Sequence, residues 1–237
     1  MIDFHSHILP AVDDGPETLT QSLDMLRNSF LQGVDMVVST SHFYGGDEYP
    51  REFLKRRNVA AQQLMEAMLF STDVYPSVVL GAEVLFFPGI SEAEEMEYLQ
   101  IENTGTILIE PPMAPWSDNM LDEIAQLGRN FDLTPVIAHV DRYMSMLKDD
   151  SLIERVLQRG LLVQVNSSYF LNPKTRKAAF VNLKAGKMHL LGSDCHNLET
   201  RPPNLGQIRK LARENHAEQE FRKLHQNAAE LLMNRKR

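Results

Sequence analysis

Short, nearly continuous apolar runs recur along the chain and alternate with segments of helical spacing. The runs are MIDFHSH, DMVVSTSH, SVVLGAEVLFF, TILIEPP, LTPVIAHVDRY, LLVQVNSSYFL and KMHLLGSDCH. Runs of this kind are typical of parallel strands that are covered on both faces. Seven strands alternating with helices favour an α/β fold with a closed or nearly closed (β/α) barrel over an open sheet.

The segments between these runs predict the helices. PETLTQSLDMLRNSFLQG has helical spacing, with Pro16 in the first turn and Gly33 as the stop signal. Further helices are predicted over about 50–69, 118–130, 149–159 and 173–183, and two more over 205–234. Because no linker, repeat or low-complexity segment interrupts the pattern, we predict one domain over residues 1–237.

Histidines and acidic residues fall where the predicted strands end. They are His5 and His7, then His42, Glu83, Glu110 and His139, and finally Asp194 and His196. Active sites of (β/α) barrels lie at this end of the strands. Burying several carboxylates near one another without a cation would be costly or would force their protonation. The pattern therefore predicts a metal site at the barrel mouth.

The spacing of these residues brings two pairs together. His5 and His7 share one face of the first strand, as Asp194 and His196 do in the last strand. The first and last strands are neighbours in a closed barrel, so the two pairs should meet. Imidazoles and carboxylates suit manganese, iron or zinc, and so many ligands indicate more than one ion.

The composition limits which cellular compartment and which classes of binding partner fit this sequence. A net charge of −8 argues against general nucleic-acid binding, and no stretch approaches a membrane span. The single cysteine, Cys195, fits a reducing cytosol, and a strand that starts at Met1–Ile2 leaves no room for a signal peptide. We therefore expect a cytoplasmic protein without membrane insertion. The sequence favours no particular oligomeric state.

A second motif, CHNLETR from Cys195 to Arg201, has the C-x5-R pattern of cysteine-dependent tyrosine phosphatases. Such a loop needs backbone N–H groups wrapped around a dianion, which glycines and a following helix favour. This segment has no glycine and places Glu199 where the anion would bind. We therefore expect Cys195 to be a packed strand residue.

The three histidines outside the predicted cluster are given other roles. His189 is expected to be structural, and His216 and His225 are expected to lie on the surface.

The motifs together resemble the polymerase and histidinol phosphatase (PHP) superfamily, with its N-terminal H-x-H and late D-x-H. Within it, MIDFHSHILPAVDDGP, VSTSH, LGAEV, VIAHVDRY and GSDCHNLETRPP are similar to the bacterial manganese-dependent protein-tyrosine phosphatases of capsule and exopolysaccharide operons. The resemblance runs from residue 2 to residue 203. It implies a distorted (β/α)7 barrel, PHP/TIM-like, with the metal site at the carboxyl ends of the strands.

The resemblance also implies a site that holds three divalent ions. Mn²⁺ is the favoured metal, and Fe, Zn, Co and Mg are the alternatives. One ion would take His5, His7 and Asp194, with Glu83 bridging to a second ion that takes Glu110 and His139. The third would take Asp14, His42 and His196. Residue chemistry alone leaves Asp13 and Asp14 open, and the resemblance favours Asp14. Arg142 and Arg201 match the phosphate-binding arginines of the family.

The activity implied is hydrolysis of phosphotyrosine by a metal-bound hydroxide, without a phosphoenzyme. The implied partner is the C-terminal tail of a bacterial tyrosine autokinase that controls capsule or exopolysaccharide synthesis. Two alternatives remain open: a phosphoesterase for a small phosphomonoester such as histidinol phosphate, and a non-catalytic barrel that binds metal or phosphopeptides. Tyr44 and Gly45, which follow His42, depart from the family pattern where a substrate side chain would make contact.

Overall fold

A computed structural model describes residues 1–233 of the protein. The last four residues, which the predicted domain and the end of the predicted terminal helix include, lie outside the described residues. Strands are β1 Ile2–Ser6, β2 Met36–Ser39, β3 His42–Phe43, β4 Ser77–Leu80, β5 Glu83–Leu85, β6 Thr106–Glu110, β7 Thr134–Ile137, β8 Leu162–Asn166 and β9 Leu190–Gly192. All of the strand pairings are parallel.

Over the described part of the chain, these nine strands occupy seven positions of a curled sheet. The hydrogen-bonded orders are β1-β2-β4 and β3-β5-β6-β7-β8-β9. Two residues separate β2 from β3, and two separate β4 from β5, so each pair continues one predicted strand with a break in it. The residues that follow the breaks are His42 at the start of β3 and Glu83 at the start of β5.

The first and last strands meet and close the ring. Ser6 and Cys195 form a parallel β-bridge. The Asp194 N–H donates to the His5 carbonyl at 2.8 Å, and the His7 N–H donates to the Cys195 carbonyl at 2.9 Å. The predicted distorted (β/α)7 barrel is confirmed, and its closure joins the H-x-H segment to the D-x-H segment.

Helices cover the sheet between successive strands. They are α1 Leu19–Leu31, α2 Pro50–Phe70, α3 Asp118–Phe131, α4 Val140–Leu147, α5 Leu152–Leu157, α6 Ser167–Leu171, α7 Arg176–Lys184, α8 Leu205–Glu214 and α9 Glu218–Met233, with 3₁₀ turns at Ile90–Glu92 and Glu94–Leu99. Within residues 1–233, none of them combines the length and the apolar composition needed to span a bilayer.

The start of α1 differs from the prediction. Thr18 caps the helix, its hydroxyl accepting from the Gln21 N–H while the Gln21 side chain reaches back to Thr18. Pro16 lies before this cap, where its carbonyl accepts from the Ala11 N–H at 2.8 Å. The prediction of Pro16 in the first turn is wrong. Gly33, with φ +82°, does end the helix as predicted.

Two other helices start later than predicted because polar side chains form local turns before them. The Asp149 carboxylate accepts from the Ser151 N–H at 2.9 Å, which delays α5 to Leu152. The Asn172 side chain accepts from the Lys174 N–H at 3.0 Å, which delays α7 in the same way. The short helices α4 and α6 were predicted as ends of strands.

The core is apolar beneath the helices and at the end of the barrel away from the mouth. Its larger part joins the inner faces of the helices to the strands. A smaller cluster joins Phe4, Leu108 and Val136 to Ala228 of α9. Because both clusters are fully buried, they hold the strand ends rigidly and thereby fix the polar side chains at the mouth.

Candidate active site

The structure brings the predicted polar residues together at the carboxyl ends of the strands. Each of them lies within 4 Å of at least one other member of the predicted set. They are His5, His7, Asp14, His42, Glu83, Glu110, His139, Asp194 and His196. His5, His7, Glu83 and His139 are completely buried. This is a dense cluster of imidazoles and carboxylates in the interior.

Glu83, at the start of β5, is the centre of the cluster. Its Oε2 lies 3.0 Å from His5 Nε2 and 3.2 Å from His7 Nε2. Its Oε1 lies 2.8 Å from His139 Nε2. Burial alone raises the pKa of Glu83, but the charge and hydrogen bonds of the surrounding histidines hold it well below its usual range. Glu83 is therefore ionised, with Oε2 facing His5 and His7 and Oε1 facing His139.

The two histidines of the H-x-H segment turn the same ring nitrogen inward. His7 Nδ1 lies 2.8 Å from Asp13 Oδ2, and His5 Nδ1 lies 3.2 Å from Gln164 Oε1. Both partners are acceptors, so both Nδ1 atoms carry hydrogen, and the two Nε2 atoms are the ones left to bind a metal. These Nε2 atoms lie 3.2 Å apart. Two converging ring nitrogens beside the ionised Glu83 need positive charge between them, and a divalent metal fits this donor set.

In the metal-free protein, protons supply that positive charge. Burial lowers the pKa of His7, but hydrogen bonds to Asp13 and Glu83 outweigh it and raise the value to about 10. Burial also lowers the pKa of His139, but hydrogen bonds to Glu110 and Glu83 outweigh it and raise the pKa to about 9. A metal ion would therefore displace protons from this cluster when it binds.

Asp14, His42 and His196 form the outer part of the cluster. Asp14 Oδ1 lies 3.1 Å from His196 Nε2 and 3.5 Å from His42 Nε2. The ring of His196 stacks on that of His7, with centroids 3.9 Å apart. Buried His42 Nδ1 and His196 Nε2 make no hydrogen bond of acceptable geometry. Unpartnered ring nitrogens beside a carboxylate are what a metal-binding group shows without its ion.

Three sets of ligand atoms are close enough to share an ion, each set within 4.8 Å: His7, Asp14, His42 and His196; His5, His7 and Glu83; and His42, Glu83 and Glu110. The sets overlap at His7, His42 and Glu83. The sets contain seven of the nine predicted ligands. The other two lie beside them, since His139 Nε2 lies 3.4 Å from Glu110 Oε1 and Asp194 Oδ1 lies 3.6 Å from His7 Nε2.

Asp13 and Asp14 take different positions, although they are adjacent in the sequence. Asp13 is buried, and its Oδ2 accepts from the His42 N–H at 2.9 Å as well as facing His7. Its other oxygen accepts from the Gly15 N–H at 3.0 Å. Asp14 is more than half exposed and turns toward His42 and His196. Asp13 thus supports the cluster from outside, and Asp14 faces into it.

The two predicted phosphate-binding arginines flank one carboxylate at the rim. Arg142, from α4, donates to Asp194 Oδ2, and Arg201, from the loop after β9, donates to Asp194 Oδ1 at 2.7 Å. Their side chains are 31% and 36% exposed. Each guanidinium therefore has one side on the cluster and one side open to a ligand that arrives from solvent.

Strained backbone occurs at two of the candidate ligands. His139 has φ +30° and Asp194 has φ +54°, a region that costs non-glycine residues about 1–3 kcal/mol. Each residue lies two positions after the last residue of a strand, His139 after β7 and Asp194 after β9. The conformation turns their side chains toward the mouth, and backbone hydrogen bonds from His139 to Gln164 and from Asp194 to His5 hold it.

Gln164 and Asn166 of β8 were missed by the sequence reasoning. Gln164 faces His5, and the Asn166 amide donates to Asp194 Oδ2 at 2.8 Å. Both are buried. The signal was present in LLVQVNS, where two amide side chains at i and i+2 interrupt a buried strand that carries no predicted ligand.

Other predictions have mixed outcomes. Cys195 is buried in the apolar core, and burial raises the pKa of its thiol, which disfavours the thiolate that a cysteine phosphatase needs. His189 is structural, because its Nδ1 accepts from the Val163 N–H at 3.0 Å. His216 is exposed as predicted. The surface assignment of His225 is wrong, since its ring packs on Phe221 and contacts the Ile2 backbone.

Comparison with known proteins gives a consistent picture. The family described as "Capsular polysaccharide synthesis, CpsB/CapC" matches residues 1–234. "Tyrosine-protein phosphatase CpsB" of Streptococcus agalactiae is 32% identical over 223 residues, which is 89% of each chain. "Tyrosine-protein phosphatase YwqE" of Bacillus subtilis is 31% identical over 208 residues, covering 85% of this chain and 79% of that protein.

Solved structures agree with the sequence relatives. A structure described under YwqE from Bacillus subtilis and CpsB from Streptococcus pneumoniae, "unique metal-dependent tyrosine phosphatases", superposes with a TM-score of 0.82 at 25% identity. It covers 100% of this chain and 96% of that one. A lactonase from Listeria monocytogenes (TM-score 0.57, 12% identity, 99% and 95% of the two chains) shares the fold. The chain belongs to the CpsB/CapC family of capsular polysaccharide synthesis proteins.

Proposed function

We propose that this protein is a metal-dependent protein-tyrosine phosphatase. The observation that carries the proposal is the convergence of buried imidazoles and carboxylates around Glu83, with Arg142 and Arg201 at the rim. Relatives named as tyrosine-protein phosphatases cover most of the chain and support the same reaction.

The ions are divalent, and we propose three of them, with Mn²⁺ as the native metal. His5, His7 and Asp194 would hold the first ion. Glu110 and His139 would hold the second, with Glu83 shared between these two, and Asp14, His42 and His196 would hold the third. The short contacts from Glu83 to imidazoles on three strands support its bridging role. When bound, the ions supply Lewis acidity, which makes water nucleophilic near neutral pH and offsets the charge of the phosphate.

Arg142 and Arg201 bind the phosphoryl group in this proposal. Their guanidinium forks suit phosphate oxygens, and the partial exposure of both side chains gives a dianion access to them. Both now neutralise Asp194, so their positions are fixed before a substrate arrives. The buried Cys195 takes no part, and the phosphoryl group passes to water without a phosphoenzyme.

An aromatic side chain beside the cluster favours an aryl phosphate. The Tyr44 ring stacks on His42, with centroids 5.4 Å apart and planes 18° apart, and it is 38% exposed. It offers an open face to the ring of a phosphotyrosine. A tyrosyl leaving group, with a pKa of about 10, also needs less protonation than an alkyl alcohol. The proposed substrate is the phosphorylated C-terminal tail of a bacterial tyrosine kinase.

A substrate panel tests the proposal. The purified protein is assayed on a phosphotyrosine peptide, histidinol phosphate and a single-stranded oligonucleotide, with chelator and with added manganese. We expect the peptide to be hydrolysed fastest, only with metal, and equally well by Cys195→Ser. Faster turnover of histidinol phosphate would assign the small-substrate alternative. Peptide binding without any turnover would assign the non-catalytic barrel.

A further inference from the structure

We infer that Gln164 and Asn166, the amide pair of β8, are positioning residues that hold three metal ligands in their binding geometry. This inference rests on the proposed metal site and extends it to the one strand that carries no predicted ligand. Neither side chain is expected to touch a metal or a substrate. Both act through His5, His139 and Asp194.

The amide of Gln164 has only one orientation that fits its neighbours. The His139 backbone N–H points at Oε1 from 2.6 Å, so that atom must be the oxygen. Nε2 then donates to the Val165 carbonyl at 2.8 Å and to Asn166 Oδ1 at 3.0 Å. A backbone donor that cannot change its role thus fixes the side chain.

The fixed oxygen determines the tautomer of His5. Oε1 lies 3.2 Å from His5 Nδ1, and an acceptor at this position requires hydrogen on Nδ1. With hydrogen fixed on Nδ1, the atom of His5 that is left to bind a metal is Nε2, which faces Glu83 and His7. The same oxygen holds the backbone of His139 in its left-handed conformation, so one amide group positions ligands from two strands.

Asn166 continues the chain of contacts to the opposite side of the cluster. Its Oδ1 accepts from Gln164, which leaves Nδ2 to donate to Asp194 Oδ2 at 2.8 Å. Its backbone N–H donates to the buried Asp141 carboxylate at 2.9 Å, which fixes the end of β8. The pair therefore forms a continuous chain from the His5 ring through two amides to Asp194.

Close packing leaves this arrangement no freedom to relax. Gln164 is completely buried, and Gly192 of β9 lies against it. A Cβ at Gly192 would come within 2.4 Å of His5 Cβ and 3.0 Å of Gln164 Nε2. Side chains at this density cannot swing to new partners, so loss of one amide leaves its ligand without support.

Metal binding in Gln164→Leu tests the inference with a readout other than activity. We expect manganese affinity, measured by chelator competition, to fall about 10–100-fold, as for other groups that support metal-bound histidines. Gln164→Glu keeps the acceptor toward His5 and His139 but loses the donor to Asn166, so its loss of affinity should be smaller than that of Gln164→Leu. ¹⁵N spectra of the metal-free protein should show His5 with hydrogen on Nδ1 in Gln164→Glu but not in Gln164→Leu. Gln207→Leu, on the exposed face of α8, is the control.

Asn166→Ala provides a second test of the inference if Gln164→Leu does not fold. It should weaken metal binding about 10-fold because Asp194 loses its amide donor. The His5 signal should stay unchanged, since Gln164 keeps its bonds to the His139 N–H and the Val165 carbonyl. Unchanged metal affinity in a folded Gln164→Leu protein would overturn the inference. A wild-type protein that binds metal through these contacts but hydrolyses no phosphotyrosine would overturn only the proposed function.

Discussion

At the scale of single residues, the cluster is a set of imidazoles that carboxylates have prepared for a cation. His7 and His139 hold protons in the metal-free protein because Asp13, Glu83 and Glu110 surround them. Those protons stabilise the fold and compete with metal. The same contacts that preorganise the ligands therefore make metal binding dependent on pH.

This competition predicts how the metal-free protein responds to pH. The folded-state pKa values of His7 and His139, about 10 and about 9, lie above the ordinary value of 6.5. Their contribution to the free energy of unfolding is complete below about pH 6.5 and is lost as the pH rises through 9 and 10. Urea denaturation at pH 7 and pH 10 measures this loss. His7→Gln, which lacks one of the groups, should show a smaller difference, and an equal difference would contradict the assignment.

Metal affinity should change in the opposite direction. Each ion displaces protons, so the apparent affinity for Mn²⁺ should rise between pH 6.5 and pH 9. Calorimetry in two buffers of different ionisation enthalpy counts the protons released. Binding with no proton release at pH 7 would be inconsistent with protonated His7 and His139.

Arg201→Ala should reduce turnover without removing metal. The guanidinium lies at the rim and pairs with the carboxylates of Asp14 and Asp194, so its loss should remove phosphate binding and leave the imidazoles in place. We expect kcat/KM for a phosphotyrosine peptide to fall about 100-fold, with the metal content unchanged. Arg209→Ala, outside the mouth, serves as the control. Loss of metal together with activity would show that Arg201 supports ligands instead.

Tyr44→Ala tests the aryl preference. Removing the ring that stacks on His42 should raise KM for a phosphotyrosine peptide about 10-fold, and Tyr44→Phe should behave as the unchanged protein. Turnover of an alkyl phosphate should be the same in Tyr44→Ala and in the unchanged protein. Equal losses on both substrates would mean that Tyr44 supports His42 and has no role in selectivity.

The clustering of the candidate ligands could be predicted at this scale, because histidines and acids at the ends of parallel strands meet at one end of a barrel. The choice between Asp13 and Asp14 could not be predicted from residue chemistry. Both follow the same strand, and only the fold decides which one turns inward. Gln164 and Asn166 were overlooked because amides are common hydrogen-bonding residues, and their role depends on neighbours that are distant in sequence.

At the scale of elements, the junction of β1 and β9 decides whether the site forms. Gly192 is the position where β9 passes His5 most closely. The alternation of strands and helices, the seven strand positions and the neighbouring ends were predictable from apolar runs. The breaks between β2 and β3 and between β4 and β5 were not predicted, because each lies inside a segment that reads as one strand.

Gly192→Ala should damage the junction. The added methyl group would lie 2.4 Å from His5 Cβ and 2.9 Å from the His5 backbone nitrogen, so the strands must separate. We expect a loss of about 1–3 kcal/mol in the free energy of unfolding, together with weaker metal binding. Gly46→Ala, where an added Cβ has open space, is the matched control. A Gly192→Ala protein of normal stability would show that β9 is not held against His5.

At the scale of the whole molecule, an acidic protein binds an anionic substrate. The net charge is −8. Three divalent ions against the carboxylates of Glu83, Glu110, Asp194 and Asp14 would leave the site with a charge of about +2, which reverses the local field. Three bound ions would therefore attract the phosphate as well as supply Lewis acidity for its hydrolysis. The sequence predicts this reversal of charge only through the family resemblance, because residue spacing gives no count of ions.

The most direct test is a manganese titration of the metal-depleted protein, with bound metal counted by mass spectrometry and phosphotyrosine hydrolysis measured in parallel. We predict no hydrolysis without metal, recovery that is complete at three ions per chain, and no recovery in Glu83→Gln, which lacks the central carboxylate. Full hydrolysis by the metal-depleted protein in the presence of chelator would contradict the account.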